Sequence, residues 1–377
     1  MHGDWLECVV SPGKAPRASA PLIGALPGEG VGPDVVAASL DVLRRLEEEG
    51  GQAVDVEVGG AIGREAERET GSPLPEDVVR FCESVFERGG AILNGPGGGR
   101  YVYDLRKRLE LFFKITPVQA RTSLPDASPL KPEGLEDLDL LIVRENLGGV
   151  YQGRSSEYAG EDGRRRVRHE FSDAEDDVRA FLDAAARLAG NRDGRLTVVA
   201  KEAGVPGTSA LWRECAMGAA DAHGVDCSMI DVDLMAYRLV ASPREFDVVA
   251  APNLFGDVLS DLAAVLLGSR ALSFSGNFTP RGDAVYQTNH GAAYDLAGSG
   301  RANPAGQLLS LAMLLRLSLG LKREAGAIEA GIRQVWNEGG RTADLGGGDG
   351  RALGTSELAT LVGDAAADHL GRMLDPA

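Results

Sequence analysis

The chain has 377 residues, of which 39 are basic and 56 acidic, giving a net charge of −17. This charge argues against nucleic acid or an anionic membrane as a partner. Hydrophobic residues make up 44% and charged residues 25%, an ordinary globular composition, and the length suits two domains. No apolar run approaches the ~18 residues that a membrane span needs.

Targeting and cysteine patterns indicate a soluble cytoplasmic protein. The N-terminus lacks the basic segment and apolar run of a secretory signal, and residues 1–20 are predicted to form a loose extension. The four cysteines (Cys8, Cys82, Cys215 and Cys227) show no CxxC or zinc spacing. Free thiols in a reducing compartment are therefore expected.

The first elements predict a strand, a glycine-rich loop and a helix. An apolar run at residues 22–26 leads into glycines 28, 30 and 32, and Pro33 opens a helical pattern that closes at Gly50. The glycine spacing does not fit GxGxxG, so a Rossmann fingerprint is rejected.

Short apolar runs return along the chain, and together they predict a layered α/β protein. They lie at residues 91–94, 138–143, 196–200 and 247–251. Residues 151–171 differ, because polar residues alternate around glycines, and this pattern predicts an exposed hairpin or arm.

Asp257 and Asp261 follow the last of these runs and are four residues apart. On a helix both carboxylates would project from one face. Such oxygen ligands suit Mg²⁺ or Mn²⁺. A solvated acidic helix face is the alternative.

Three basic residues are candidates for binding or catalysis. Arg106 is on a predicted amphipathic helix, and Arg144 and Lys201 end apolar runs. The arginines are candidate carboxylate ligands, with surface ion pairs as the alternative. The chain has six lysines against 33 arginines, and only lysine loses its proton near neutral pH. Lys201 is thus a candidate base if its pKa is lowered, or a salt-bridged residue.

Four motifs resemble those of the isopropylmalate/isocitrate dehydrogenase family. Residues 26–34 (LPGEGVGPD) resemble its LPGDGIGPE, and residues 143–151 (VRENLGGVY) its VRExxxGxY. Residues 253–261 (NLFGDVLSD) are similar to NxFGDILSD, and residues 290–298 (HGAAYDLAG) to HGSAPDIAG. The resemblance covers about residues 21–370.

The resemblance implies a two-domain α/β fold with a mixed sheet flanked by helices. Residues 21–115 and 268–377 would form the cofactor-binding domain. Residues 116–267 would form the dimerisation and substrate domain, with the arm at 151–171. It also implies a homodimer with shared active sites, into which Lys201 and Asp233 would reach from the second copy.

The implied reaction is the oxidation and decarboxylation of a 3-substituted malate with NAD and Mg²⁺ or Mn²⁺. Lys201 would accept the hydroxyl proton and Tyr151 would protonate the enolate. The remaining roles fall to three groups: substrate binding by Arg106, Arg144, Arg100, Tyr103 and Thr116; cofactor binding by His290, Gly291, Ala293, Asp295 and Asn303; and metal binding by Asp233, Asp257 and Asp261. The acid at Asp295 favours NAD over NADP, because a carboxylate repels a 2′-phosphate.

This chain departs from the family pattern at several positions. Thr116 stands where the family usually has Arg, and Lys114 where it has Asn. Ala203 and Gln287 replace an Asn and a Glu. The lost charge at Thr116 and the presence of Arg100 suggest a polar or anionic substituent on the substrate, with an ordinary apolar pocket as the alternative.

Three other functions remain open at this point. The first is an isocitrate- or homoisocitrate-type substrate. The second is tartrate- or malate-type oxidation without decarboxylation. The third is a non-catalytic regulatory subunit.

Overall fold

The computed structural model describes residues 21–120, 122–346 and 351–374. The predicted extension at 1–20 and Cys8 lie outside these residues. The predicted α/β fold is confirmed: a ten-stranded mixed sheet is flanked by helices. In the described residues, no helix is long and apolar enough to cross a membrane.

The described residues form twelve strands, and ten of them belong to the main sheet. In chain order they are β1 Leu22–Leu26, β2 Asp55–Val58, β3 Ala91–Asn94, β4 Phe113–Gln119, β5 Asp139–Glu145, β6 Arg154–Ala159, β7 Arg165–Glu170, β8 Arg195–Ala200, β9 Asp226–Asp231, β10 Val248–Ala251, β11 Phe274–Phe278 and β12 Ala284–Thr288.

In the part of the chain that the structure describes, eleven α-helices connect and cover these strands. They are α1 Gly32–Glu48, α2 Arg64–Thr70, α3 Glu76–Glu87, α4 Tyr101–Arg108, α5 Glu175–Gly190, α6 Pro206–His223, α7 Val232–Ala241, α8 Asn253–Leu267, α9 Ala305–Leu317, α10 Lys322–Asn337 and α11 Thr355–Leu374.

The strand order is β2-β1-β3-β12-β11-β4-β5-β10-β8-β9. β4 is antiparallel to both of its neighbours, β11 and β5. The five strands on the β11 side come from the N- and C-terminal parts of the chain, and the four on the β5 side come from the middle. The domain limits at residues 115 and 267 stay a prediction.

Burial explains why these segments became strands. Residues 140–143 of β5 are fully buried, as expected for a central strand covered on both faces. α9 is buried along its length except at Arg316, so it forms the centre of the helical layer beside the sheet. β6 and β7 form a separate antiparallel hairpin with every residue exposed. The predicted arm is thus a hairpin that leaves the main sheet.

Candidate active site

Charged side chains gather where β4, β5 and α8 meet. Arg144 lies in β5 and is 1% exposed, and Lys114 lies directly opposite it in β4. α8 packs closely on Arg144, because a Cβ at Gly256 would come within 2.8 Å of the Arg144 Cβ. Glycine at this position therefore lets the helix that carries the acidic residues approach the strand.

Arg144, Asp257, Tyr151 and Asn253 form one connected group. The Arg144 guanidinium is ion-paired with Asp257, and its Nη2 donates to Asn253 Oδ1 at 2.8 Å. The Tyr151 hydroxyl donates to the other carboxylate oxygen, Oδ2, at 2.8 Å. Burial acts to raise the pKa of Asp257, but Arg144 and Lys114, with the Tyr151 hydrogen bond, lower it below its ordinary value. Asp257 is thus an anion that holds Tyr151 in place.

Arg106 faces the same group from α4. It is 6% exposed, and its Nε atom has no hydrogen-bond partner among the described residues. The Tyr103 ring lies between it and the site, with its centroid 5.7 Å from the guanidinium carbon and 4.8 Å from the Tyr151 ring. Burial, and then Arg144, lower the pKa of Arg106 to about 9, so it stays cationic at neutral pH. Two buried guanidinium groups therefore face one region.

Arg100 lies at the start of α4, but its guanidinium is already engaged. Its Nη1 donates to the Tyr151 carbonyl at 2.7 Å, and its Nε donates to Asp104 at 3.0 Å. Thr116 is buried, and its hydroxyl accepts from Asn289 Nδ2 at 3.3 Å. Neither residue offers a free positive charge to a substrate.

The three predicted metal ligands do not lie together within one chain. Among the described residues, no group of three His, Cys, Asp or Glu side chains could hold a metal ion. Asp257 and Asp261 share a face of α8, and Asp261 pairs with Arg270 at 2.6 Å. Burial raises the pKa of Asp261, and Asp257 adds to the rise, against the effect of Arg270. One chain thus supplies two coupled carboxylates of a possible cation site.

Asp233, the third predicted ligand, is paired with Lys201. The Lys201 ammonium lies 2.5 Å from Asp233 and 3.3 Å from Asp231. The hydrogen bond to Asp233, followed by that to Asp231, raises the pKa of Lys201. Within a single chain Lys201 is therefore salt-bridged, because two carboxylates stabilise the ammonium there, and its role as a base stays a prediction.

Three loops meet at the ends of β1, β3 and β12. Val31 N donates to Ala292 O at 2.9 Å, and Glu29 N donates to Pro96 O at 2.8 Å. Gly30 has φ +58°, and a Cβ there would meet Ala292 O at 1.9 Å, so glycine is required for this contact.

The predicted cofactor residues lie in or beside these loops. The His290 Nε2 atom is buried without a hydrogen-bond partner in the described chain, and burial lowers the pKa of His290. Gly291 and Asp295 are exposed, and Ala293 has φ +43°. Asn303 donates to Asp344 at 3.1 Å. Exposed backbone, an orphaned ring nitrogen and a carboxylate fit a nucleotide with a ribose and phosphates.

Comparison with known proteins decides the family. A profile described as isocitrate/isopropylmalate dehydrogenase matches residues 22–362. The 3-isopropylmalate dehydrogenase of Geobacillus kaustophilus is 36% identical over 360 residues, covering 92% of this chain and 96% of that one. The one from Heyndrickxia coagulans is 38% identical, covering 89% and 94%. This chain belongs to the isocitrate/isopropylmalate dehydrogenase family.

A solved structure agrees with this membership. The isocitrate dehydrogenase of Methylococcus capsulatus superposes with a TM-score of 0.80 at 27% identity, covering 92% of this chain and 99% of that one. The protein is therefore an enzyme of the β-decarboxylating dehydrogenase type, which oxidises and decarboxylates a hydroxy acid.

Sequence reasoning missed several residues of this dehydrogenase site. Asn253 orients Arg144, and Asp231 holds Lys201. Glu29 accepts from Tyr294, Arg64 N and Gly98 N, and so connects the loops at the ends of β1, β3 and β12. Asn253 and Glu29 carried a signal, since each lies within a quoted motif, at residues 253–261 and 26–34. The other contacts join residues that are distant in sequence.

Proposed function

We propose that this enzyme oxidises and decarboxylates a 3-substituted malate, using NAD and Mg²⁺ or Mn²⁺. The observation that carries the proposal is the contact group formed by Arg144, Tyr151 and Asp257, with Arg106 beside it. It offers two buried cations for carboxylates and a half-buried hydroxyl for proton transfer within one region.

The substrate's carboxylates would bind Arg106 and Arg144. Guanidinium groups form paired hydrogen bonds with carboxylates, and these are strong where water is excluded. Arg106 is the more available of the two, since Arg144 already holds Asp257 and Asn253. A dicarboxylate would thus compensate buried positive charge.

The contacts of Arg100 favour an apolar third substituent on the malate, because its guanidinium is bound to Asp104 and the Tyr151 carbonyl. The names of the bacterial relatives point the same way. We therefore take 3-isopropylmalate as the first substrate to test, and isocitrate as its competitor.

Tyr151 and Lys201 are the proposed proton-transfer groups. Burial and the hydrogen bond to Asp257 raise the pKa of Tyr151, so its hydroxyl keeps its proton and can donate it to an enolate carbon. Lys201 of the second copy would accept the proton of the substrate hydroxyl. This requires that Asp233, which pairs with Lys201 in the single chain, binds another partner instead.

The metal ion would be held by Asp257 and Asp261 of one chain and Asp233 of a second copy. Carboxylate oxygens are suitable ligands for a hard divalent cation. Burial and the nearby charge of Asp257 raise the pKa of Asp261, and a cation bound by both carboxylates would offset their repulsion. When bound, the ion supplies the Lewis acidity that acidifies the substrate hydroxyl and stabilises enolate charge.

NAD would bind the three-loop region. Asp295 is exposed and forms no hydrogen bond within the described chain, so its carboxylate is available to the ribose hydroxyls. The orphaned His290 Nε2 and the amides of residues 291–293 would contact the rest of the nucleotide.

A homodimer would complete the site. Large apolar side chains are exposed on α7 and α8, including Tyr237 at 70%, Val258 at 54% and Leu234 at 50%. Contiguous exposed apolar surface is typical of a protein interface. Lys201 and Asp233 would then enter the other copy's cleft. A cytoplasmic location stays a prediction.

A substrate panel tests the proposal. We expect kcat/KM to be highest for 3-isopropylmalate among 3-isopropylmalate, isocitrate, homoisocitrate, malate and tartrate, with Mn²⁺ and with NAD preferred over NADP. Arg100→Ala should leave the ratio of 3-isopropylmalate to isocitrate unchanged. A preference for isocitrate that Arg100→Ala removes would restore the polar-substituent alternative. No dehydrogenation of any of the five would favour the regulatory subunit.

A further inference from the structure

Lys114 is a lysine whose side chain is almost entirely enclosed by the protein. Its residue is 3% exposed, and no hydrogen bond or ion pair of its ammonium is found among the described residues. It is one of only six lysines in a chain with 33 arginines. An isolated buried charge is costly, and such groups are normally paired with an opposite charge. The ammonium therefore lacks the ligand that its position requires.

The surroundings of Lys114 are cationic. Lys114 and Arg144 are directly opposite each other on antiparallel strands, so both side chains project from the same face of the sheet. Burial, followed by the charges of Arg106 and Arg144, lowers the pKa of Lys114 well below its usual range. An anion placed among the three would relieve this repulsion.

The nearby carboxylates do not fill this need. Asp257 and Asp261 are close enough to act on Lys114 electrostatically. However, Asp257 is engaged by Arg144 and Tyr151, and Asp261 by Arg270. A net positive charge is left among Lys114, Arg106 and Arg144.

We propose that Lys114 is a substrate-binding residue, whose ammonium holds a substrate carboxylate together with Arg106 and Arg144. This inference rests on the proposed function only for the identity of the ligand, a hydroxy diacid. It assigns a role to a residue that the motifs mark merely as a departure.

The residue at position 116 explains why β4 carries a lysine at position 114. Residues two apart in a strand project to the same face, separated by about 7 Å. Thr116 has lost the Arg that the family pattern places in this strand, and Lys114 has gained a charge in place of an Asn. The third cation has thus moved along β4 instead of being lost.

Binding measurements on Lys114→Met test the proposal, with Lys107→Met as the matched control. Lys107 is an exposed lysine on α4. Calorimetry would measure the binding of 3-isopropylmalate and of malonate. We expect Lys114→Met to weaken binding about 10- to 100-fold, the loss of one hydrogen bond to a charged group, and the control to stay within twofold. KM should rise more than kcat falls.

Thermal unfolding separates binding from a structural role. Without ligand, Lys114→Met should melt at a higher temperature than the wild type, because an enclosed polar amine without a partner among the described residues is replaced by an apolar side chain. It should also lose most of the rise in Tm that the diacid causes. Wild-type-like affinity in a folded Lys114→Met protein overturns the proposal. Lys114-dependent malonate binding without turnover of any malate supports it and contradicts the proposed function.

Moving the charge provides a second test. Lys114→Asn should bind the diacid as weakly as Lys114→Met, and adding Thr116→Arg should restore affinity to within a few-fold of the wild type. A folded double variant that binds no better than Lys114→Asn overturns the proposal. If the double variant does not fold, the Lys114→Met comparison decides.

Discussion

Asp257 is the residue on which the charges of the site converge. It accepts from Arg144 and Tyr151, and the surrounding cations keep its pKa low although burial opposes this. A cation bound by Asp257 would compete with Arg144 for the same carboxylate. Arg144 would then be released toward a substrate carboxylate, which couples the binding of metal and substrate.

Substitution of Lys201 tests its proposed role as the general base. General bases typically contribute ~10²–10⁴-fold, so Lys201→Met should lower kcat by that order and leave the affinity for NAD nearly unchanged. Lys131→Met, which removes an exposed lysine, is the control. Steady-state kinetics and NAD titration measure both effects. A Lys201→Met enzyme within a few-fold of the wild type would exclude Lys201 as the base.

The end of β5 shows how an element shapes the site. Glu145 follows Arg144, is 4% exposed, and caps the next turn by accepting from the amides of Leu147 and Gly148. Gly149, in the same turn, has φ +68° and leads to Tyr151. A buried carboxyl at the strand end therefore orders the turn that presents the tyrosine.

This carboxyl gives stability a pH dependence. Burial raises the pKa of Glu145 to about 7, against the lowering effect of the two amides. The unfolded chain loses this proton near pH 4.5, earlier than the folded protein, so the group's contribution is full below that pH and is lost as pH rises toward 7. The slope is at most about 1.4 kcal/mol per pH unit.

Glu145→Gln keeps an acceptor oxygen but cannot ionise. Its stability relative to the wild type should therefore increase between about pH 4.5 and 7 and then level off. Urea unfolding at several pH values measures this, with the exposed Glu136→Gln as the control. A stability difference that does not vary with pH would show that Glu145 is already ionised in the folded protein.

The positions of several strands and helices were predictable from the sequence. The apolar runs at 22–26 and 91–94 coincide with β1 and β3, because buried strands leave short uninterrupted apolar segments. The i,i+4 acidic pair lies on α8 as its spacing required. The pKa of Lys201 was not predictable, since it depends on Asp231 and Asp233, which approach only when β8 and β9 pair.

The site lies where the direction of the strands in the main sheet changes. β4 runs antiparallel to β5 and β11, and it joins strands from the two ends of the chain to strands from its middle. Arg106, Lys114 and Arg144 meet here although 38 residues separate the first from the last. Local patterns could not predict this meeting. The family motifs marked Arg106 and Arg144 as candidate ligands, and Lys114 only as a departure from the pattern.

Measuring NADH and CO₂ in one reaction tests the proposed metal-dependent oxidation and decarboxylation most directly. With 3-isopropylmalate, NAD and Mn²⁺, we expect one CO₂ to be released per NADH formed. Excess EDTA should abolish the formation of both products. NADH formed without CO₂, or turnover that continues in EDTA, would contradict it.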